Sequence, residues 1–418
     1  MSLYADVDQH SLTPTLVALR KHATANNAEL WRVAPEVLAA VAALVADPNQ
    51  PIHHRFLEAA PSVGFSPEMV GEALTIALKP LSAEALKHHR DRCLPANGML
   101  RCPELIFHVL AGNLFVSGIE SITTAMLAGA ASLVRCSSAD LVYPALWQKA
   151  VHQVFPLWGD AIHVTHWPTE NAESTAAACS ASDAVIAFGS DDSVAAVRAL
   201  TPIRVPFIPH GTKVSFALVS AEALRENPAD IAARLAYDFS VYDQQGCLSP
   251  RAAFIEACDS GTLSRFRETF VSEMRSLEQQ LPPGPKDLAQ SAALARERNE
   301  AMIETALDET TELWSTAGDR FVATVRPIAM YQPGSVNRFA DLRVFRDIAE
   351  LQAALAPYRG IISTLGVTGT AGEWRAIADD LRVDRICSLG EMQKPPLGWT
   401  HDGRQPLADL LQFTTDET

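Results

Sequence analysis

None of the seven cysteines (93, 102, 136, 179, 247, 258 and 387) stands in a CxxC or any other paired spacing. That absence excludes a disulfide framework and suits a reducing compartment. Basic residues are also few: 34 Lys and Arg against 49 Asp and Glu leave a formal net charge of −15. Such a surface repels phosphate backbones and anionic membranes, so no nucleic-acid and no membrane partner is expected. The longest apolar region, residues 104–134, is broken by Glu104, His108, Asn113 and Glu120. A charge at the bilayer centre costs about 2.5–3.5 kcal/mol on insertion scales, which argues against a membrane span. The N-terminus MSLYADVDQH carries acids and no basic, apolar leader, so neither a signal peptide nor export is expected, and a cytoplasmic location is. Three familiar signatures are missing too. No G-x-G-x-x-G, no G-x-x-x-x-G-K-[ST] and no G-x-S-x-G occurs, which leaves a standard dinucleotide fingerprint, a P-loop and a serine hydrolase unsupported.

What is present is the composition of an enzyme-sized globular chain. At 418 residues, with 48% hydrophobic residues, it suits two or three domains. Residues 1–95 space their apolar side chains by three and four, so helices are expected, with starts at Ala34-Pro35 and Ser66-Pro67. The histidine pairs 53–54 and 88–89 read as solvated positions. His163 and His166, three apart on an expected strand, face opposite sides, and no metal site is expected.

From residue 104 the pattern changes to strands alternating with helices: ELIFHVLAGN, FVSGIESITTAMLAGA, ASLVRCS, DLVYPALWQKAVHQVF, AIHVTHW, NAESTAAACSAS, DAVIAFG, SDDSVAAVRAL, then RVPFIPHG and KVSFALVS. This alternation predicts βαβ units and a parallel sheet. Ligands of such sheets lie beyond the C-terminal ends of the strands, where the turns carry Asn113, Arg135 and Gly189-Ser190. Gly189 and Ser190 end a strand and open a helix, a place for a diphosphate, although a simple strand turn with a Ser or Asp cap accounts for the same residues. Arg135, beside Ser137 and Ser138, is placed for an adenosine ribose or its 2′-phosphate, although a lone arginine at a strand end is commonly just solvated. Further on, LPPGPKD reads as a loop and AQSAALARERNEAMIETALDETTELW as one long, charged helix.

Cys247 sits in YDQQGCLSP, among polar residues and beside a glycine. A packed thiol, a redox sensor and a nucleophile are all open to it. Gln244, Gln245 and Gly246 argue against core packing, and the lack of a nearby resolving cysteine argues against a redox pair.

HVLAGN, FGS before a helix, GTKVSFALV, YDQQGCLSP and MQKPPLGWTHDG, in this order along the chain, resemble the LuxC-type acyl-CoA reductase family, a divergent branch of the aldehyde dehydrogenase superfamily. The resemblance runs from about residue 100 to the C-terminus. It implies an α/β, aldehyde dehydrogenase-like fold: a helical region over 1–95, a parallel-sheet cofactor domain over 96–213, an α/β catalytic domain over 214–385, and a tail over 386–418 that returns to the active site or an oligomer interface. It makes Cys247 the acyl acceptor and Asn113 an oxyanion donor. Gly189, Ser190, Arg135 and Ser137 would meet the cofactor, NADPH with NADH as the alternative. The implied partners are an acyl-CoA or acyl-carrier thioester, further copies of the chain in a dimer or tetramer, and acyl-transfer enzymes.

One departure from the superfamily bears on the reaction. Its hydrolytic members carry Glu-Leu-Gly-Gly, whose glutamate activates water; the segment here is Pro209-His210-Gly211-Thr212. Without that carboxylate an acyl-enzyme should survive for hydride transfer, which favours thioester reduction to an aldehyde. His210 becomes a candidate proton carrier, its ordinary pKa being about 6.5, although a turn residue contacting backbone is the plainer account. His401-Asp402-Gly403 either closes over the site or is an Asp-Gly turn; His401 and Glu391 are weaker candidates. The rivals to reduction are the oxidative, coenzyme A-acylating direction and a silent acyl-binding partner in a multienzyme complex.

Overall fold

The computed structural model describes residues 9–95, 99–316, 318, 320–328, 331 and 333–415. Residues 1–8, which bear on the expected lack of a leader, lie outside the described residues, as do residues 96–98 at the expected first boundary. The chain divides into two compact units: residues 1–63, 73–212 and 396–418 form the first, residues 64–72 and 213–395 the second.

The first unit is built on five parallel strands, β1 (Leu105–Val109), β2 (Ala131–Arg135), β3 (Ile162–Thr165), β4 (Ala184–Phe188) and β5 (Phe207–His210), in the order 3-2-1-4-5. β1 and β2 are buried at every position, which is why they read as nearly unbroken apolar runs. His108, one of the apparent interruptions, is fully buried between two hydroxyls, with Nδ1 2.7 Å from Ser121 Oγ and Nε2 3.2 Å from Ser132 Oγ. Burial pushes its pKa down to about 3, so it lies neutral in the sheet.

The long helix α1 (Gln9–Ala46) is tied to the N-terminal ends of these strands. Arg20 pairs with Glu104, just before β1, and with Asp183, just before β4. Asn27 Nδ2 donates to the carbonyl of Gly129, ahead of β2. The opposite edge, where ligands of parallel sheets bind, is left to the turns.

α1 also corrects the expectation of a helix start at Ala34-Pro35, because the helix runs through Pro35. Proline has no N–H to return to the carbonyl four residues back, here Trp31, and such a loss normally breaks a helix. In this chain Arg90, buried on the helix Ala83–Arg92, supplies the missing donor: Nη1 bonds the Trp31 carbonyl, and the guanidinium lies over the Trp31 ring at 4.5 Å. The start expected at Ser66-Pro67 is present, with Ser66 Oγ accepting the Met69 N–H at 3.2 Å.

The second unit holds seven strands: β6 (Val214–Val219), β7 (Pro250–Glu256), β8 (Glu312–Ser315), β9 (Val322–Pro327), β10 (Phe339–Phe345), β11 (Ile362–Val367) and β12 (Arg385–Ser388), in the order 12-11-6-7-10-9-8. All neighbours are parallel except β8 and β9. One face packs Ala217, Ala253, Val325 and Leu342 under helices that contribute Leu235, Phe239, Phe266 and Phe270. The other packs Phe216, Phe254 and Phe345 with Trp374 and Leu381. The long helix expected up to TELW stops at Leu307. Asp308 then turns the chain by accepting from Thr310, and Glu312–Ser315 becomes β8. Among the described residues no helix is long and apolar enough to cross a membrane.

Replacing Arg90 by Met should destabilise the first unit by about 1–3 kcal/mol, the cost of an unsatisfied buried carbonyl. Adding Pro35→Ala should restore much of the loss, because alanine brings its own N–H to that position. Urea unfolding of the two single variants and the double variant measures the coupling; strict additivity would rule it out.

Candidate active site

In the strand order 3-2-1-4-5 the topology switches between β1 and β4, and a crevice for a dinucleotide opens at such a switch. The turns after these two strands carry Asn113 and Gly189-Ser190. Asn113 is exposed and follows Gly112, which has no room for a side chain: a Cβ there would lie 2.4 Å from Ala139 Cβ and 2.9 Å from Ser137 Oγ. The glycine of HVLAGN therefore lets the turn after β1 lie against the turn after β2. Ser137 shapes that second turn by accepting the Ala139 N–H at 3.3 Å.

Arg135 ends β2 and is buried rather than solvated. Nε and Nη2 both donate to the Trp167 carbonyl, at 3.2 and 3.0 Å, and Nη2 also reaches Thr169 Oγ1 at 3.2 Å. These two nitrogens serve the loop after β3. The Gly189 N–H is likewise spent, on the His210 carbonyl at 3.2 Å. Ser190 caps the helix Asp191–Leu200, accepting from Ser193 N, and its hydroxyl lies 3.0 Å from Ser193 Oγ. Two hydroxyls sharing one hydrogen bond keep one proton to donate elsewhere. An exposed helix start with that spare donor fits a cofactor diphosphate, while Gly189 contributes room rather than a donor.

His210 closes β5 and is 6% exposed. Its Nδ1 lies 2.7 Å from Asp402 Oδ2. A carboxylate oxygen has no proton to give, so Nδ1–H donates and Nε2 is the basic nitrogen. Burial holds the imidazole below its usual pKa, His401 adds to this, and Asp402 opposes it. The His210 ring packs on Phe188 at 4.4 Å and on His401 at 4.2 Å, and His401 stacks in turn on Trp399 at 4.6 Å. Glu120, from the helix Val116–Leu127, lies 3.5 Å from His401 Nδ1. Partial desolvation tends to raise the half-exposed Glu120 carboxyl, but His401 holds it below its usual pKa.

His401-Asp402-Gly403-Arg404 is itself a tight turn, with φ of +51° at Asp402 and +73° at Gly403 and the Arg404 N–H bonded to the His401 carbonyl. HDG is an Asp-Gly turn, and its Asp402 and His401 lie against His210. Among the described residues His210, His401 and Asp402 bring three potential metal ligands within 4.8 Å. The 2.7 Å His210–Asp402 separation is that of a hydrogen bond. Ligands of a tetrahedral site with bonds of about 2.0 Å stand roughly 3.3 Å apart.

Cys247 belongs to the second unit and is half-buried. The three residues Tyr242, Asp243 and Gln244 ahead of it all have left-handed backbone, with φ of +57°, +49° and +63°. Left-handed conformation costs roughly 1–2 kcal/mol per residue, and consecutive non-glycine examples persist only where the surroundings over-determine them. Here they do. Asp243 Oδ1 accepts from Arg338 Nε at 2.8 Å, Asp243 Oδ2 from Gly284 N at 2.9 Å, and the Asp243 carbonyl from Asn337 N at 3.0 Å. Gln244, whose polarity argued against core packing, is fully buried: Nε2 donates to the carbonyls of Pro250 and Phe339, and Oε1 accepts the Phe339 N–H. Asn337 and Arg338 are left-handed as well, so two strained segments brace each other.

Two further motifs act on the same loop. Ser215, in GTKVSF, donates to the Cys247 carbonyl at 2.7 Å and accepts the Thr364 N–H at 3.1 Å. Gln393, in MQK, donates to Ser249 Oγ at 2.9 Å. The MQK segment is held by Asp238, fully buried on the helix Pro228–Ser240, which accepts from the amides of Gly390 and Met392. Burial pushes up the thiols of the other six cysteines: Cys102 to about 11, Cys387 to about 12, and Cys93, Cys136, Cys179 and Cys258 in the same direction. A group that resists ionisation makes a poor nucleophile.

Asn113, Ser137, Ser190 and His210 thus share one edge of the first unit, with Asp402, His401 and Glu120 joined to His210. Sequence reasoning missed Asp402 as the partner of His210, and missed Asp243, Ser215 and Arg338 as the braces of Cys247. Only the order of the motifs hinted at them. Arg338→Met should cost about 3–5 kcal/mol, since it leaves Asp243 buried without its cation. Guanidinium unfolding measures this; a loss within the ±0.5 kcal/mol of a surface change would mean the pair does not hold the turn.

Comparison with known proteins completes the description. A family model described as acyl-CoA reductase (LuxC) matches residues 98–413. The chain is 24% identical over 322 residues to a long-chain acyl-protein thioester reductase 2 of Photobacterium leiognathi, covering 74% of this chain and 63% of that one. It is 25% identical over 380 residues to a long-chain acyl-protein thioester reductase of Photobacterium phosphoreum, covering 85% and 74%. Among solved structures, a putative aldehyde dehydrogenase PutA from Anabaena variabilis superposes with a TM-score of 0.74 at 14% identity, covering 99% of this chain and 95% of that one. The fold is aldehyde dehydrogenase-like, and with a family model that takes in the βαβ edge, the braced cysteine turn and the HDG turn alike, the chain belongs to the acyl-CoA reductase (LuxC) family.

Proposed function

We propose that this chain reduces an acyl thioester to the aldehyde through an acyl group held on Cys247. The observation that carries this reading is the turn before Cys247: three left-handed residues, a buried ion pair and a fully bonded glutamine hold one half-buried thiol in place. Strain of that kind concentrates at functional sites. The names of the relatives, long-chain acyl-protein thioester reductases, agree in chemistry.

The Cys247 thiolate attacks the thioester carbonyl, and the side-chain amide of Asn113 and the Cys247 N–H donate to the oxyanion. The carrier thiol leaves with a proton, and the acyl group remains on sulfur. A nicotinamide cofactor, when bound, supplies the hydride; NADPH is the donor assigned, with NADH the alternative. Ser190 would hold its diphosphate, and Arg135 and Ser137 would lie towards its adenosine end. The thiohemiacetal on Cys247 then collapses to aldehyde and free thiol. His210, neutral and basic at Nε2, is assigned as the proton carrier for thiol entry and departure.

The segment Pro209–Thr212 has no carboxylate of its own. The carboxylates nearest to it are engaged, Asp191 Oδ1 by the Thr212 N–H at 2.8 Å and Asp402 Oδ2 by His210 Nδ1 at 2.7 Å. That favours survival of the acyl-enzyme over its hydrolysis. The substrate is assigned as a thioester of coenzyme A or of a carrier protein, received from an acyl-transfer partner, and the working form as a dimer or tetramer.

Incubation with an acyl-CoA should add one acyl mass to the intact protein, and Cys247→Ser should abolish both the adduct and NADPH consumption. Acylation elsewhere, or turnover retained by Cys247→Ser, would overturn the assignment. Asn113→Ala should slow acylation by about 10²–10³-fold, the effect of one oxyanion donor. NAD(P)H formation from aldehyde and coenzyme A, with no consumption against acyl-CoA, would place the chain in the oxidative direction instead.

A further inference from the structure

Asp402 is more than a turn residue. Its left-handed backbone, followed by Gly403, is a conformation that Asn or Gly adopts at least as readily. The turn alone therefore does not call for a carboxylate. What calls for one is His210: Oδ2 lies 2.7 Å from Nδ1, both side chains are at most 9% exposed, and the two residues are 192 positions apart. Two aromatic rings also lie against the imidazole, Phe188 from β4 and His401 from the tail. The charged and titratable groups that face it are Asp402 and His401 from the tail and Glu120 from the helix Val116–Leu127, while Asp191 is bonded two residues further on, at Thr212.

We infer that Asp402 is a positioning residue: it locks His210 in the Nδ1–H tautomer with Nε2 basic, which makes the Trp399–Arg404 segment part of the proton-transfer apparatus. The inference rests on the assignment of His210 as proton carrier. The proton bookkeeping is simple. Nε2 takes the proton of the Cys247 thiol, the imidazolium is stabilised by the Asp402 carboxylate, and Nε2 returns the proton to the departing carrier thiol. Asp402 itself never changes protonation.

The same three side chains could be read as a metal site, but His210 Nδ1 and Asp402 Oδ2 stand 2.7 Å apart, the separation of a hydrogen bond and closer than two ligands of one ion.

The decisive variant is Asp402→Asn, which keeps the left-handed turn and loses the charge. Acyl-Cys247 formation at neutral pH should fall by about 10²-fold or more, the usual range for a general base. Its melting curve should match the parent's. The neighbouring carboxylate raises the imidazole pKa, so its removal should also move the acid limb of the pH–rate profile to lower pH. Nitrogen-15 NMR of histidine-labelled protein, with the signal assigned by its absence in His210→Gln, should show Nδ1 protonated in the parent and lost from Nδ1 in Asp402→Asn. An unchanged rate and pH profile in Asp402→Asn, or a parent His210 protonated at Nε2, overturns the inference. The NMR result does not depend on turnover. Failure of the acyl-Cys247 reading would show instead as retained reduction by Cys247→Ser.

Discussion

The left-handed turn at Tyr242–Gln244 depends on one buried ion pair, Asp243 with Arg338, and much of the second unit is arranged around keeping it. Burial raises the Asp243 carboxyl and lowers the Arg338 guanidinium despite their mutual attraction, so desolvation outweighs the pairing for both partners. A pair like this adds little net stability, yet losing either member is severe. Its value here is geometric. It pins the one stretch of backbone that would otherwise relax to right-handed or extended conformations, and the strand following that stretch, β7, lies between β6 and β10 in the sheet. Ser215 on β6 and Phe339 on β10 bond to this loop from both neighbouring strands. The strain is therefore carried by three strands rather than by the loop alone.

The two units hold their functional groups by different means. In the first, His210 sits at the end of the edge strand β5 and is finished by the Trp399–Arg404 segment. In the second, Cys247 is set by backbone conformation and by side-chain bonds to main-chain atoms. Both devices hold a side chain by contacts from segments distant in sequence, which is what a rigid site requires.

Local rules made much of this architecture legible in the sequence. The βαβ run from residue 104 was readable because strands buried on both faces are unbroken apolar runs and the intervening helices are amphipathic. Cys247 stood out because glutamine and glycine are odd neighbours for a packed thiol. What the local pattern did not show is that one of those neighbours is itself packed. Gln244 is buried because a single amide can satisfy two carbonyls and one N–H, and its main partner at Phe339 is 95 residues away. The same distance problem hid Asp402 from His210. TELW was misread because its strand character comes from pairing with β9, not from its own composition. Pro35 is the clearest case: the local rule is correct, and a side chain far along the chain, on Arg90, overrides it.

That last arrangement bears on how the chain can change over evolutionary time. An arginine at position 90 is acceptable next to an ordinary helix, where it can still lie over the Trp31 ring. A proline at position 35 is acceptable only once the arginine is there to serve the orphaned carbonyl. The substitutions therefore have a permitted order, arginine before proline. Thereafter the arginine is entrenched, because reverting it alone strands a polar atom in the interior. The two positions should consequently be inherited together among close descendants of this sequence, though neither touches the chemistry.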